Sequence, residues 1–197
     1  MKLTKKSLLM IVKEKILRDE SFTDALEITR KNSFGKIWLI GGALYKTLVQ
    51  GLYRTGKTTK DFDLIVEKAR KQLVLPAGWQ RNKNRFGNPK FFNGELEIDF
   101  IPLEEIYYIK KNKLEPRIEN FLAGVPLNIH FLVYDILDDR IFGDVGIKAL
   151  EEKVVRVYNL KMANYCARKY NKTVDTMVKE KARDLGFKAD LINFNPA

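Results

Sequence analysis

Acidic residues recur with the same alternating spacing at two places in the first half of the chain. Asp61 and Asp63 flank Phe62 at the start of one apolar run, and Glu97 and Asp99 alternate with apolar residues in another. Residues i and i+2 of a β-strand project from the same face, so each pair is expected to present both carboxylates on one side of a sheet. We therefore predict two short strands that share an acidic face.

Carboxylates on a shared face suit Mg²⁺, which binds through a few carboxylates together with substrate phosphates. Two such ions can clamp the attacking and leaving oxygens of a phosphoryl transfer. We predict Asp61, Asp63 and Asp99 as catalytic, metal-binding residues. Glu97 shares the predicted face of Asp99 and is the alternative third ligand. The polar edge of an amphipathic strand is the other explanation for these acids.

A double glycine precedes the acids at a point where the backbone can approach a phosphate. Residues 37–40 are a short apolar run typical of a buried strand, Gly41 and Gly42 follow, and residues 43–50 have helical composition. Backbone N–H groups at such a strand-to-helix turn can bind an anion directly. The alternative is a tight turn with no ligand, and both can hold at once.

The order of these motifs resembles the polymerase-beta nucleotidyltransferase superfamily. Within it, the chain looks most like the head domain of class II CCA-adding enzymes and bacterial poly(A) polymerases. That head opens with Gly-Gly-Ala-Val-Arg-Asp and then carries Asp-x-Asp. The corresponding residues here are Gly41, Gly42, Ala43, Leu44, Tyr45 and Lys46, followed by Asp61 and Asp63.

The resemblance implies an enzyme that moves a nucleoside monophosphate from a nucleoside triphosphate (NTP) to a hydroxyl, with an RNA 3′ end of the tRNA kind as acceptor. It implies Mg²⁺ or Mn²⁺ as cofactor and nucleotide contacts from Gly41, Gly42, Tyr45 and Lys46. Lys60 joins this set because it lies in the basic loop just before the Asp-x-Asp strand. A solvated loop, and packing of Tyr45, are the alternatives.

Two departures from the family keep other functions open. The family's paired arginines would fall near residues 122–124, which are Leu-Ala-Gly here, and the family's body and tail, which bind tRNA, have no counterpart in this sequence. A partner protein could supply acceptor binding. The alternative functions are the same transfer to a protein or a small molecule, or a non-catalytic nucleic-acid-binding module.

The composition favours an anionic partner. The 197 residues carry 36 Lys and Arg against 25 Asp and Glu, and the formal net charge of +11 suits an RNA or a nucleotide. The single cysteine, Cys166, excludes an internal disulfide, which favours a reducing compartment. No run of eighteen apolar residues is present to span a membrane. We predict a cytoplasmic protein without membrane association.

Apolar spacing predicts an α+β protein, and the resemblance implies the nucleotidyltransferase fold, in which a small mixed, mostly antiparallel sheet carries the carboxylates on one face and helices on the other. Within it, residues 68–75 are predicted to be helical, and Asn93-Gly94 predicts a hairpin turn into a strand over 95–101. We predict three segments along the chain: a helical lead-in (1–35), a nucleotidyltransferase head (36–158) and a short helical extension (159–197).

A stretch between the two acidic strands combines cations with aromatic rings. Arg81, Lys83 and Arg85 alternate here with Trp79 and Phe86. Such a mixture suits a nucleic-acid strand, because rings stack on bases while cations contact phosphates. We predict the three cations as nucleic-acid contacts. A hairpin with scattered charges is the alternative.

Overall fold

The fold is built on one seven-stranded sheet, seen in a computed structural model that describes residues 2–55 and 57–191. The strand order is β3-β4-β5-β2-β1-β6-β7. Only the β2–β5 pair is parallel among the described strands of this sheet, and its other neighbours pair antiparallel. The strands are β1 (Ser33–Ile40), β2 (Asp61–Ala69), β3 (Gln80–Lys83), β4 (Pro89–Phe92), β5 (Glu97–Pro102), β6 (Val133–Asp135) and β7 (Arg140–Phe142).

Eight α-helices, two short 3-10 helices (Leu103–Glu105 and Asn128–His130) and a separate two-stranded sheet complete the described part of the chain. The helices are α1 (Lys5–Lys15), α2 (Glu20–Lys31), α3 (Gly41–Tyr53), α4 (Tyr107–Lys111), α5 (Ile118–Ala123), α6 (Asp144–Glu152), α7 (Leu160–Lys169) and α8 (Val174–Leu185). The small parallel sheet pairs β8 (Val154–Arg156) with β9 (Lys188–Asp190). The α+β class and the mixed, mostly antiparallel sheet are thus as predicted.

The main hydrophobic core lies between one face of the sheet and helices from both ends of the chain. Strand residues such as Leu64 and Ile98 meet α2 and α3, and the Phe22 ring packs edge-on against Phe62 at 5.3 Å between ring centroids. Val178 of α8 joins the same core. The three predicted segments therefore share one core, and the boundaries between them stay a prediction.

The opposite face of the sheet carries a second, smaller apolar cluster. Trp38, Ile40 and Ile65 pack there with Ile109 of α4 and Leu122 of α5. The acidic residues project from the same face of the sheet, next to this cluster.

The predicted helix over residues 68–75 is wrong. Strand β2 continues to Ala69, which pairs with Ser33, and the chain then bends without forming a helix. The side chain of Asn32 donates to the Val74 carbonyl at 2.9 Å and accepts from the Val74 N–H at 2.6 Å. This buried amide supplies the hydrogen bonds that a helix would otherwise make within itself.

Helix α3 is longer than the predicted 43–50. It starts at Gly41 and passes through Gly51 to Tyr53. A Cβ on Gly51 would meet the Ile11 side chain, so this glycine marks where α1 crosses α3 closely. Gly51 therefore serves close packing between two helices and does not end α3, which the local sequence does not reveal.

None of the helices in the described part of the chain combines the length and apolar character needed to cross a membrane.

Candidate active site

The strand register brings the predicted acids together. Asp63 on β2 lies directly opposite Asp99 on the parallel strand β5, and Asp61 lies opposite Glu97. These four residues occupy one face of the sheet, because the two acids of each strand are two positions apart and directly oppose the two acids of the other strand. The same face continues outward from Asp99 to Lys90 on β4.

The turn between β1 and α3 is built around Asp63. Gly41 has a φ of +68°, and a Cβ there would overlap Asp63 Oδ2, so a side chain is excluded both by backbone conformation and by space. The Gly42 N–H hydrogen-bonds the Asp63 carboxylate. Ile40, just before the glycines, pairs with Asp63. The predicted phosphate-approach turn and the predicted acid are therefore one structural unit.

The acids repel one another in a partly dehydrated site. Burial, followed by the charges of Asp99 and Asp61, raises the pKa of Asp63 to about 7. The pKa values of Asp61 and Asp99 are also raised, in each case chiefly by burial. Asp61 Oδ1 and Asp99 Oδ1 are buried without a hydrogen-bond partner. Unpaired, mutually repelling carboxylates store energy that a bound cation would release.

Neighbouring side chains distinguish Asp99 from Glu97. Asn84 donates from Nδ2 to Asp99 Oδ2 at 3.1 Å, and its Oδ1 accepts from two backbone N–H groups of the same turn. Glu97 is exposed and pairs with the Lys90 ammonium at 2.5 Å. Glu97 thus already has a cation, whereas Asp99 faces Asp63 with one free oxygen.

Hard carboxylate oxygens are the donor type that Mg²⁺ or Mn²⁺ uses, and the two oxygens without partners fit that chemistry. Across residues 2–55 and 57–191, however, no group of three or more His, Cys, Asp or Glu side chains is placed to hold a metal ion. The metal-binding role of Asp61, Asp63 and Asp99 therefore stays a prediction.

A cavity of about 480 Å³ lies over Asp63 and Asp99. The sheet side of the cavity contributes Gly41, Gly42, Asp63 and Asp99, which we call the carboxylate floor together with Asp61. The facing side, the helical wall, consists of α4, α7 and α8; its lining residues include Tyr107, Tyr165, Cys166, Glu180, Lys181 and Asp184. The cavity is large enough for a nucleotide.

Lys181 reaches from the helical wall to the floor. Its Nζ donates to Tyr45 Oη at 2.7 Å, and its charge lies near Asp184 and Asp63. Burial lowers the pKa of Lys181 and raises that of Tyr45. The ring of His130 lies 5.7 Å from that of Tyr45, between centroids. Tyr45 is buried against the core, and it also lines the cavity.

The predicted basic residues of the phosphate site are placed differently from one another. Lys46 lies beside Gly42, since a Cβ on Gly42 would be 3.9 Å from Lys46 Cε. Its charge also acts on Asp61, where it opposes the larger, pKa-raising effect of burial. Lys60 is exposed, and its backbone carbonyl accepts from the Glu97 N–H at 3.3 Å. The structure thus brings Lys46, but not the Lys60 side chain, to the floor.

The three predicted nucleic-acid contacts do not form one surface. Arg81 and Lys83 project from the face of β3 that is opposite to the carboxylates, since Arg81 pairs with Phe91 of the main core. Arg85 lies in the turn after β3, where Nη1 donates to the Lys169 carbonyl at 3.1 Å. Only Arg85 of this set lies on the cavity side, and the contact itself stays a prediction.

Apolar packing fills the place where the resembled family has paired arginines. Leu122 belongs to the second core cluster, and a Cβ on Gly124 would overlap the Tyr108 ring. Further along the chain, Asp135 is a buried acid with a structural role, because its carboxylate accepts from the N–H groups of Leu137 and Asp138 in a turn. Among the described residues, the cations that line the cavity are Lys172, between α7 and α8, and Lys181 on α8.

Sequence reasoning missed three residues that shape the site: Lys181, Asn84 and His130. Lys181 is one lysine among many in a basic helix, and nothing local marks it. The run Asn-Arg-Phe-Gly-Asn could have indicated Asn84, because asparagine side chains commonly hydrogen-bond the backbone of a turn. The apolar neighbours of His130 are typical of a core position and give no sign of its contact with the Tyr45 ring.

Solved structures of tRNA-processing enzymes share this fold. The structure is similar to a CCA-adding enzyme solved with ATP, at 16% identity over 92% of this chain and 41% of that one, with a TM-score of 0.61. It is also similar to the Thermotoga maritima CCA-adding enzyme complexed with tRNA, at 15% identity over 91% of this chain and 46% of that one, with a TM-score of 0.52. A third similar structure is a tRNA-processing enzyme with CTP, at 19% identity over 79% of this chain and 40% of that one, with a TM-score of 0.51.

These similarities establish the nucleotidyltransferase fold of CCA-adding enzymes, as the sequence predicted. The chain spans less than half the length of the three structures. No protein-family model matches the sequence, and no curated protein sequence matches it.

Proposed function

We propose that this protein is an NTP-dependent nucleotidyltransferase that adds a nucleoside monophosphate to the 3′ hydroxyl of an RNA of the tRNA kind. The observation that carries the proposal is the pairing of Asp63 with Asp99 directly beneath the Gly41-Gly42 turn, inside a nucleotide-sized cavity. A polar sheet face built only for stability would not leave buried carboxylate oxygens without partners.

Asp61, Asp63 and Asp99 would hold Mg²⁺ or Mn²⁺. When bound, the metal would supply charge neutralisation for the acids and for the phosphates. The raised pKa of Asp63 fits this role, because burial and the neighbouring acids disfavour its charged form until a cation is present.

The triphosphate would lie between the first turn of α3 and Lys181. The N-terminus of a helix attracts anions through free N–H groups and its dipole, and α3 has thirteen residues. Lys181 would add a full positive charge from the opposite side, and Lys46 a second from α3 itself. These cations would take the place of the arginines that residues 122–124 lack.

Transfer would proceed by attack of the acceptor hydroxyl oxygen on the α-phosphorus. The bond between that phosphorus and the oxygen bridging to the β-phosphate breaks, and pyrophosphate leaves. Asp99 would act through Oδ1, since Asn84 holds Oδ2: as a metal ligand it would lower the pKa of the acceptor hydroxyl, whose proton then passes to water, and without metal at that oxygen it would take the proton itself.

RNA is the favoured acceptor for two reasons. The net charge of +11 suits a polyanion, and one structure of the same fold contains tRNA. We further propose that a partner protein supplies additional acceptor binding. We expect the protein to act in the cytoplasm, where NTPs and tRNA meet.

The test is incorporation of each α-labelled NTP, with Mg²⁺, into total RNA. We expect label in RNA, lost by at least about a hundredfold in Asp61→Asn/Asp63→Asn, since removal of a single charge-stabilising group typically costs that much. Glu67→Gln, at the far end of the same strand, is the matched control and should keep full activity.

Label in protein or in small molecules would retain the chemistry and change the acceptor. The absence of transfer to any acceptor, together with the absence of NTP binding, would contradict the proposal and favour a non-catalytic nucleic-acid-binding module.

A further inference from the structure

Four aromatic rings gather at the edge of the cavity, beside the Asp99 side of the floor. Tyr107 and Tyr165 stack in parallel, with 3.8 Å between ring centroids and 2° between ring planes. Phe86 lies 6.2 Å from Tyr165 and 5.9 Å from Tyr170. All four line the cavity.

Each tyrosine of this group carries a cation over its ring. Arg85 Cζ lies 4.7 Å from the Tyr170 centroid, Lys111 Nζ lies 5.5 Å from that of Tyr107, and Lys169 Nζ lies 5.8 Å from that of Tyr165. We call these seven residues the aromatic–cation ledge: Phe86, Tyr107, Tyr165, Tyr170, Arg85, Lys111 and Lys169.

The ledge is assembled from three separate elements and remains open to solvent. It combines the β3–β4 turn, α4 and α7, and the Arg85 hydrogen bond to the Lys169 carbonyl joins the turn to α7. Phe86 is 37% exposed and Tyr170 is 41% exposed. Rings recruited only for packing would be expected inside one of the two cores, and none of these four belongs to either.

We propose that the aromatic–cation ledge binds the unpaired 3′ end of the RNA acceptor, stacking its bases on the rings and contacting its phosphates with Arg85, Lys111 and Lys169. The proposal rests on the proposed function and assigns the acceptor a place next to Asp99. Stacking tolerates every base, and the cations match a backbone that carries one charge per nucleotide.

The position of the ledge favours the acceptor strand over the incoming NTP. Asn84 contacts Asp99, and the ledge residues Arg85 and Phe86 follow in the same turn. Lys181 and the Gly41-Gly42 turn, which would take the triphosphate, lie on the other flank of Asp63. An NTP base alone also brings no phosphate for three further cations.

The test is fluorescence anisotropy with a short 5′-labelled single-stranded RNA, in EDTA so that no transfer occurs. We expect Tyr107→Ala and Tyr170→Ala each to weaken binding about tenfold, while Tyr107→Phe keeps the ring and the affinity. Removing Lys111 or Lys169 should reduce the slope of log K against log salt by about 0.7 for each lysine.

The chain offers a matched control far from the cavity. Arg70 lies 4.0 Å over the ring of Phe34, which is 53% exposed at the other end of the sheet. Phe34→Ala removes an equivalent cation–aromatic pair and should leave RNA binding unchanged. Equal losses in Phe34→Ala and Tyr170→Ala would overturn the proposal, because the effect would then follow general charge or stability.

NTP binding, measured separately with Mg²⁺, separates this proposal from the proposed function. Ledge variants that bind RNA like the wild type, or that lose NTP binding instead, overturn the ledge even if transfer is intact. RNA binding that depends on the ledge, in a protein that transfers no nucleotide, supports the ledge and contradicts the enzyme. Thermal melts of each variant confirm folding.

Discussion

The two sides of the cavity differ in how the chain builds them. The carboxylate floor comes from two adjacent strands and one turn, and a fixed strand register alone brings Asp63 to Asp99. The helical wall comes from α4, α7 and α8, and its key contact joins Tyr45 to Lys181 across 136 positions of sequence. Residue types in a strand pattern reveal the floor, whereas only the folded chain reveals the wall.

This difference also suggests a division of labour. The floor concentrates negative charge and backbone N–H groups, which suit a metal and a phosphate. The wall and its neighbouring turn supply cations and aromatic rings, which suit an NTP and an RNA strand. Changes to the floor should therefore abolish transfer, and changes to the wall should chiefly weaken substrate binding.

The largest effect is expected from Gly41→Ala. An alanine at this position would have to adopt a φ of +68°, which strains the backbone of a residue with a side chain. Its Cβ would also overlap Asp63 Oδ2, so the turn and the acid must both move. We expect transfer to fall at least about a hundredfold and unfolding free energy to fall by about 2–3 kcal/mol. Activity assays and denaturant titration measure the two.

Gly78→Ala is the control for backbone strain alone. Gly78 has a φ of +83° with no atom within 4 Å of an added Cβ. It should lose about 1 kcal/mol of stability and no activity. If both variants keep activity, the floor does not need the close approach of Gly41 to Asp63.

Lys181→Met should weaken the binding of the NTP more than it slows the chemical step. Loss of the charge that faces Asp63 and hydrogen-bonds Tyr45 should raise KM for NTP about tenfold, because charge-assisted contacts contribute roughly 1.5–3 kcal/mol. Lys179→Met, on the exposed side of the same helix, should leave KM unchanged. A drop in kcat with constant KM would instead place Lys181 in the chemical step.

Asn84→Ala is expected to cost a few-fold in activity. Asn84 and Asn93 both accept two backbone N–H groups in hairpin turns, but only Asn84 also contacts a floor carboxylate. Each alanine variant should lose about 1 kcal/mol per lost hydrogen bond. Lower transfer in Asn84→Ala but not in Asn93→Ala would assign the difference to Asp99, and equal activity would remove Asn84 from the site.

The last prediction concerns the pH dependence of stability and leaves transfer activity at neutral pH aside. Burial, and then the charge of Lys181, lower the pKa of His130 to about 3, below its ordinary value of 6.5. Between those pH values the unfolded chain binds a proton that the folded chain does not, so this contribution to stability falls as pH falls below about 6.5.

His130→Gln should therefore lose less stability on acidification than the wild type. The difference between the two proteins should change by up to about 1.4 kcal/mol per pH unit below pH 6.5 and stay constant above it. Contributions from the acids are common to both and cancel. Parallel stability curves from denaturant titrations at several pH values would show that His130 titrates normally in the folded state.

The sequence predicts the floor well for a physical reason. Alternation of polar and apolar residues places Asp61, Asp63 and Asp99 on one face, and the glycines announce a backbone position that excludes side chains. The same logic fails where tertiary contacts dominate. Hydrogen bonds from Asn32 replace the helix predicted over residues 68–75.

The side of the sheet on which each β3 residue lies explains why the three cations of the basic stretch are not equivalent. Arg81 and Lys83 looked equivalent to Arg85 in the sequence, yet the pleat of β3 points the first two away from the carboxylates. Only Arg85 joins the ledge, where α4 and α7 supply the other cations. Neither the ledge partners nor β9 carries a local signal strong enough to predict their pairing.

The measurement that tests the central claim most directly is a structure determined with Mg²⁺ and a non-hydrolysable NTP. The account predicts a triphosphate between the Gly41-Gly42 turn and Lys181, with metal bound to Asp61, Asp63 and Asp99. A nucleotide bound elsewhere, or carboxylates without metal beside a bound nucleotide, would contradict it.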